Sequence, residues 1–112
     1  TLRNSSAASD VYKRQITPVV ARFEQLDTPL LGATDWLVAA DVCFWEELVD
    51  PVTTMIERAI ESGTKRIMIS DPRREPFFTV ADTILSEYGG ELVEWRVGNS
   101  RHSGVILVIE NA

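Results

Sequence analysis

A single cysteine, Cys43, and a single histidine, His102, leave this chain without an internal disulfide and without the several ligands that a zinc site needs. That cysteine usage fits a reducing, cytoplasmic setting. No apolar run comes near the roughly 20 residues a membrane-crossing helix requires, so the sequence reads as a soluble protein. Basic residues are also few, 11 Lys and Arg against 17 Asp and Glu, for a net charge of -6. The unspecific attraction to phosphate behind most nucleic-acid binding is therefore missing, and a basic or weakly charged partner is expected in place of DNA. What is present is ordinary: 45% hydrophobic and 25% charged residues in 112, enough for one small core and against disorder.

Residues 1–15 (TLRNSSAASDVYKRQ) stand apart. Leu2, Val11 and Tyr12 are their large apolar groups and follow no period of 2 or 3.6, so no core face forms. No apolar segment follows their positive charges, which excludes a secretory signal. The stretch resembles a vector- or adapter-derived translation, a native disordered arm being the alternative. The native chain is then expected to be a 5′-truncated protein running over residues 16–112.

Residues 16–23 (ITPVVARF) suggest a short extended or half-helical piece that ends in the polar segment 24–28. The continuous apolar run 35–40 (DWLVAA), between Thr34 and Asp41, predicts a strand buried on both faces. Asp50-Pro51 then supplies an N-cap and a first-turn proline, and Val52, Met55, Ile56, Ala59 and Ile60 recur at helical spacing until Gly63. Residues 65–70 (KRIMIS) predict a second buried strand, ended by Asp71-Pro72. A second helix is predicted over about 77–88, with Phe77, Val80, Ala81, Ile84, Leu85 and Tyr88 on one face and Gly89-Gly90 closing it. In 91–97, Val93, Trp95 and Val97 alternate with Glu94 and Arg96, the pattern of a strand near a sheet edge. The unbroken run 105–109 (VILVI) must be central. Residues 98–104 between them are long enough only for a hairpin loop, so these two strands are antiparallel.

An α/β layout with crossover helices places ligand chemistry outside the carboxyl ends of the strands. Two loops qualify, 41–47 (DVCFWEE) and 71–76 (DPRREP). Each opens with an aspartate directly after an apolar strand.

A doubly wound chain that finishes with an antiparallel hairpin, its last strand the more buried, resembles the C-terminal half of a class I S-adenosylmethionine-dependent methyltransferase, the seven-strand fold. Asp41-Val42-Cys43-Phe44 is similar to the D/E-x-x-Y/F motif of the protein lysine methyltransferases related to those of the electron-transfer-flavoprotein β-subunit and calmodulin. Ile69-Ser70-Asp71-Pro72-Arg73-Arg74 is similar to the "DPGR" segment of some of them, with Arg73 where glycine would stand. The likeness covers residues 35–110. It implies a partial Rossmann-like, mostly parallel sheet in the order four, five, seven, six of that fold, and S-adenosylmethionine as the cofactor of the parent protein. Of the residues here, Ala40 and Asp41 would lie near that cofactor, Asp41 and Phe44 would be catalytic, and Trp45 and Asp71 would meet the substrate. The implied acceptor is a protein lysine or another amine, with neither nucleic acid nor membrane as partner. No G-x-G occurs in the chain, so the glycine turn and ribose-binding acid of such enzymes have no counterpart. Part of the domain is thus expected to be missing. Alone, the chain should be inactive, bind no S-adenosylmethionine, and be poorly soluble through an apolar strand edge at 37–40.

Blander roles exist for the same residues. Asp41 could be a capping or loop carboxylate, Phe44 and Trp45 core residues, and Asp71 with Arg73 and Arg74 a salt-bridged loop. Glu46, Glu47 and Asp50 read as a solvated acidic rim, which would also draw a basic protein. Cys43 and Trp95 read as packed residues, Trp36 as structural, and His102 as a surface residue of the hairpin. Two rival function classes remain: a flavodoxin- or receiver-like module binding Mg²⁺ or a phosphoryl group through Asp41 and Asp71, and a noncatalytic interaction domain.

Overall fold

The computed structural model describes residues 19–99 and 101–111. Residues 1–15, read above as foreign or disordered, lie outside the described residues. After a 3₁₀ turn at Phe23–Gln25 comes a short helix the sequence pattern does not announce, α1 (Thr28–Gly32). Five residues are too few for a period, but the local chemistry suffices: the Asp27 carboxylate accepts the Leu30 N–H, Pro29 sits in the first turn, and Leu31 is buried.

The remaining elements alternate as the sequence predicts, with shifted ends. They are β1 (Trp36–Ala40), α2 (Val49–Ser62), β2 (Arg66–Asp71), α3 (Glu75–Tyr88), β3 (Glu91–Arg96) and β4 (Ser103–Glu110). Asp50 is not the cap of α2: the cap is Leu48, because a 3₁₀ turn at Glu46–Leu48 runs straight into the helix. Pro51 then falls in the first turn, where backbone N–H groups have no intrahelical partner and proline forfeits nothing. For the same reason α3 starts at Glu75, before the expected position, with Pro76 inside it. Gly63 closes α2 at φ 95°, a left-handed conformation that glycine adopts more readily than other residues.

The four strands form one mixed sheet in the order β1-β2-β4-β3. The order, and the pairing of β4 on both sides, agree with the sequence reading. The expected parallel pair and C-terminal antiparallel hairpin are both present: β1 and β2 are parallel and β3 pairs antiparallel with β4, and since β4 also runs against β2 the sheet is mixed. The chain is therefore a small α/β domain.

Its core is one-sided. Val52, Met55, Ile56 and Ala59 of α2 and Phe77, Val80, Ala81 and Ile84 of α3 are buried against Ile67, Ile69, Val105, Leu107 and Ile109 of the central strands. The pairing register puts Trp36, Val38, Met68, Ile106, Val108, Val93 and Trp95 on the opposite face. No described helix packs there, and Val38 is 63% exposed. The strand at 35–40 is consequently not buried on both faces as its apolar run predicts. It is an edge strand in which half-buried and exposed residues alternate, because an apolar run reports what a strand could bury and not what covers it.

Of the two tryptophans of this face, Trp95 departs from its expected core position. Trp36, 57% exposed, lies under the Arg66 guanidinium, 5.1 Å from its ring centroid. Trp95 is only half-buried and lies against Gly104, where an added Cβ would stand 2.5 Å from its ring and 2.5 Å from the backbone oxygen of Asp71. Glycine is required there so that β4 can approach the end of β2, which fixes the position of Asp71.

Candidate functional site at the carboxyl ends of the strands

The Asp41 N–H donates to the Ser70 carbonyl at 2.9 Å, extending the β1–β2 ladder one residue beyond β1. Asp41 and Asp71 thus finish neighbouring strands. Asp41 then turns the chain at φ 62°, a left-handed conformation that aspartate tolerates better than most side chains. Its side chain stays 61% exposed. Beyond it Cys43 points into the core, fully buried, while Phe44 and Trp45 remain on the surface in edge-to-face contact, centroids 4.9 Å apart. Neither aromatic is a core residue. Glu46, Glu47 and Asp50 are exposed, as a solvated acidic rim should be.

Asp71 is placed differently from the sequence expectation of substrate contact. It is 1% exposed, and its Oδ2 accepts the Arg74 backbone N–H at 2.7 Å. Among the described residues its Oδ1 has no hydrogen-bond partner. Asp71 therefore lies beneath the surface and fixes the loop above it. Nor does this loop close salt bridges on itself. Arg73 reaches Glu94 of β3 at 3.5 Å, and Arg74 crosses to the other loop, its Nη2 2.5 Å from the Asp41 Oδ1 and its guanidinium 5.8 Å from the Phe44 ring centroid. The structure brings Asp41, Phe44, Trp45 and Arg74 together over a buried Asp71.

Arg74 is the residue that sequence reasoning misses as a site member. Nothing in its spacing joins it to Asp41 on another loop. One residue earlier, Arg73 holds φ 82°, a conformation that glycine favours. Replacing Arg73 by Gly should relieve this strain and raise stability by about 0.5–1 kcal/mol, the exposed pair with Glu94 being worth little. Thermal melts check it, and a lowered melting point would contradict it.

Burial raises the pKa of the Cys43 thiol, the negative charges of Asp71 and Glu46 add to the rise, and Arg74 opposes it. Folding thus tightens the thiol's hold on its proton. The associated stability is fully present below the ordinary thiol range and is lost as pH rises through the folded value. At neutral pH the native chain should react with a disulfide reagent at least tenfold more slowly than the urea-unfolded chain, roughly the consequence of a scarce and buried thiolate. Equal rates would refute this.

No group of three or more His, Cys, Asp or Glu among the described residues is arranged to hold a metal ion. A groove of about 320 Å³ lies at the opposite, amino end of β1 and β2, lined by Trp36, Lys65, Arg66, Glu110 and Asn111. Its charges are already paired, Arg66 with Glu110 and Lys65 with Asp35, so it offers less unsatisfied chemistry than the strand-end cluster. No described helix is long and apolar enough to cross a membrane. No protein-family model, curated protein or solved structure matches the chain.

Proposed function

We propose that this chain is the substrate-side portion of an S-adenosylmethionine-dependent methyltransferase acting on a protein lysine or a similar amine. The observation that carries the reading is the placement of an exposed carboxylate, Asp41, and two exposed aromatics, Phe44 and Trp45, at the carboxyl end of a β1-β2-β4-β3 sheet whose last strand is reversed and inserted. Strand order and site position both agree with the resemblance drawn from the sequence. The left-handed backbone at Arg73, where the similar segments carry glycine, also supports it.

S-adenosylmethionine supplies an electrophilic methyl group on a sulfonium centre. Ala40, exposed and small at the end of the edge strand, leaves room for such a group, and Asp41 beside it carries the charge to attract a sulfonium. Asp41 can also accept a hydrogen bond from the acceptor amine and so orient its lone pair, while the faces of Phe44 and Trp45 favour a group carrying positive charge. Asp71 acts through the loop, by fixing Arg74. The exposed acids Glu46, Glu47 and Asp50 favour the approach of a basic protein. The receiver-like alternative calls for Asp41 and Asp71 to present their carboxylates together, and the burial of Asp71 disfavours it.

The test begins with the gene. If the reading holds, coding sequence upstream of this chain should specify a strand, a G-x-G turn and a helix, and the product of that longer reading frame should move a radiolabelled methyl group onto a lysine-rich protein. An upstream sequence without that turn, together with no transfer, would refute the proposal.

A further inference from the structure

We propose that Asp41 and Phe44 form a cation cradle which the chain's own Arg74 occupies, and that a lysine side chain enters by displacing this arginine. The inference rests on the amine-acceptor reading above and adds to it a built-in competitor.

The geometry is that of a bound ligand. A guanidinium sits between a carboxylate, Nη2 to Oδ1 at 2.5 Å, and an aromatic ring, 5.8 Å from the centroid, which are the two groups that recognise an ammonium ion. Trp45 stands edge-on to Phe44 and keeps the wall of the cradle aromatic. Arg74 is delivered there by its backbone: Asp71 holds its N–H, and the left-handed turn at Arg73 sends the two adjacent arginines to different partners.

Arg74 fits this place imperfectly. Its Nη1 is buried and has no hydrogen-bond partner among the described residues. A buried donor without a partner weakens the closed arrangement, whereas Asp41, Phe44 and Trp45 keep enough exposure to meet an incoming group. A protonated lysine makes the same two contacts with a compact head, and a trimethylated one keeps the charge attraction to Asp41 and the ring contact; neither strands a second nitrogen.

The measurement is a titration of the 112-residue chain with Nα-acetyl-Nζ-trimethyllysine amide, followed by tryptophan fluorescence, with Nα-acetylnorleucine amide as the uncharged control. Arg74→Met keeps the stem and removes the competing charge. It should tighten binding of the cation about tenfold, equivalent to about 1.4 kcal/mol, and leave the control unbound. Phe44→Leu in the Arg74→Met background should abolish the gain. Arg74→Gln serves as a second variant should Arg74→Met disturb folding, as judged by circular dichroism. Unchanged or weaker binding by the folded Arg74 variants, or no cation binding by any variant, would overturn the cradle. Because the titration contains no methyl donor, binding as expected with a complete protein that transfers no methyl group would sink only the enzyme reading. Methyl transfer by a complete protein whose isolated cradle ignores the cation would sink only this inference.

Discussion

On the proposed methyltransferase reading, Asp41→Asn should lower methyl transfer by ~10²-fold or more, on the order of 3 kcal/mol in the barrier, with little change in fold stability. The separation of the two effects follows from where Asp41 sits. Asparagine is the one other side chain-bearing residue that adopts a φ near 62° with comparable ease, so the backbone turn survives the substitution. The ion pair with Arg74 is lost, but the Asp41 side chain is 61% exposed, and exposed pairs contribute only about 0.2–1 kcal/mol. On the proposed reading, what disappears is the charge that orients an amine. Turnover with a radiolabelled donor, run beside thermal melts of both forms, separates the outcomes. Unchanged turnover with a lowered melting point would return Asp41 to a purely structural role.

The largest effect on stability should come from Phe77→Ala. Phe77 is fully buried in the first turn of α3, its ring 5.6 Å from that of Phe78, and it belongs to the single core that both helices share with the sheet. Removing a buried phenylalanine leaves a cavity and costs about 3–5 kcal/mol. Small domains hold about 5–15 kcal/mol in all, so most of the margin goes. A drop in melting temperature of roughly 15 °C or more is expected, at about 4–8 °C per kcal/mol. Phe78→Ala, at a half-buried position on the same turn, should cost less than half as much. Calorimetry of the two variants decides it, and similar losses for both would show that Phe77 is not a centre of the core.

Elements that carry their own periodic signal are legible in the sequence. The stripe from Val52 to Ala59, the stripe from Phe77 to Ile84 and the unbroken run in β4 each record a burial pattern that tertiary packing then used. Helix starts lie ahead of the sequence expectation for a shared reason: Pro51 and Pro76 look like boundaries, yet proline is tolerated throughout a first turn. The open face of β1 was illegible because residues such as Val38 are equally apolar whether covered or not. The site was half legible. Asp41, Phe44 and Trp45 follow one another in a loop after a strand, so a local motif finds them. The Arg74 contact joins two loops through the register of β1 against β2, which no local pattern encodes.

A sheet dressed on a single side also changes how the molecule yields to denaturant. Sensitivity to urea and the heat capacity of unfolding both scale with the surface newly wetted when the chain opens. Here the outer flank of β1 and its neighbours is already wet, so each quantity should fall below that of an ordinary domain of equal length. Any element that came to rest on Val38 and Val93 would raise both, and would make the unfolding transition steeper as well as later.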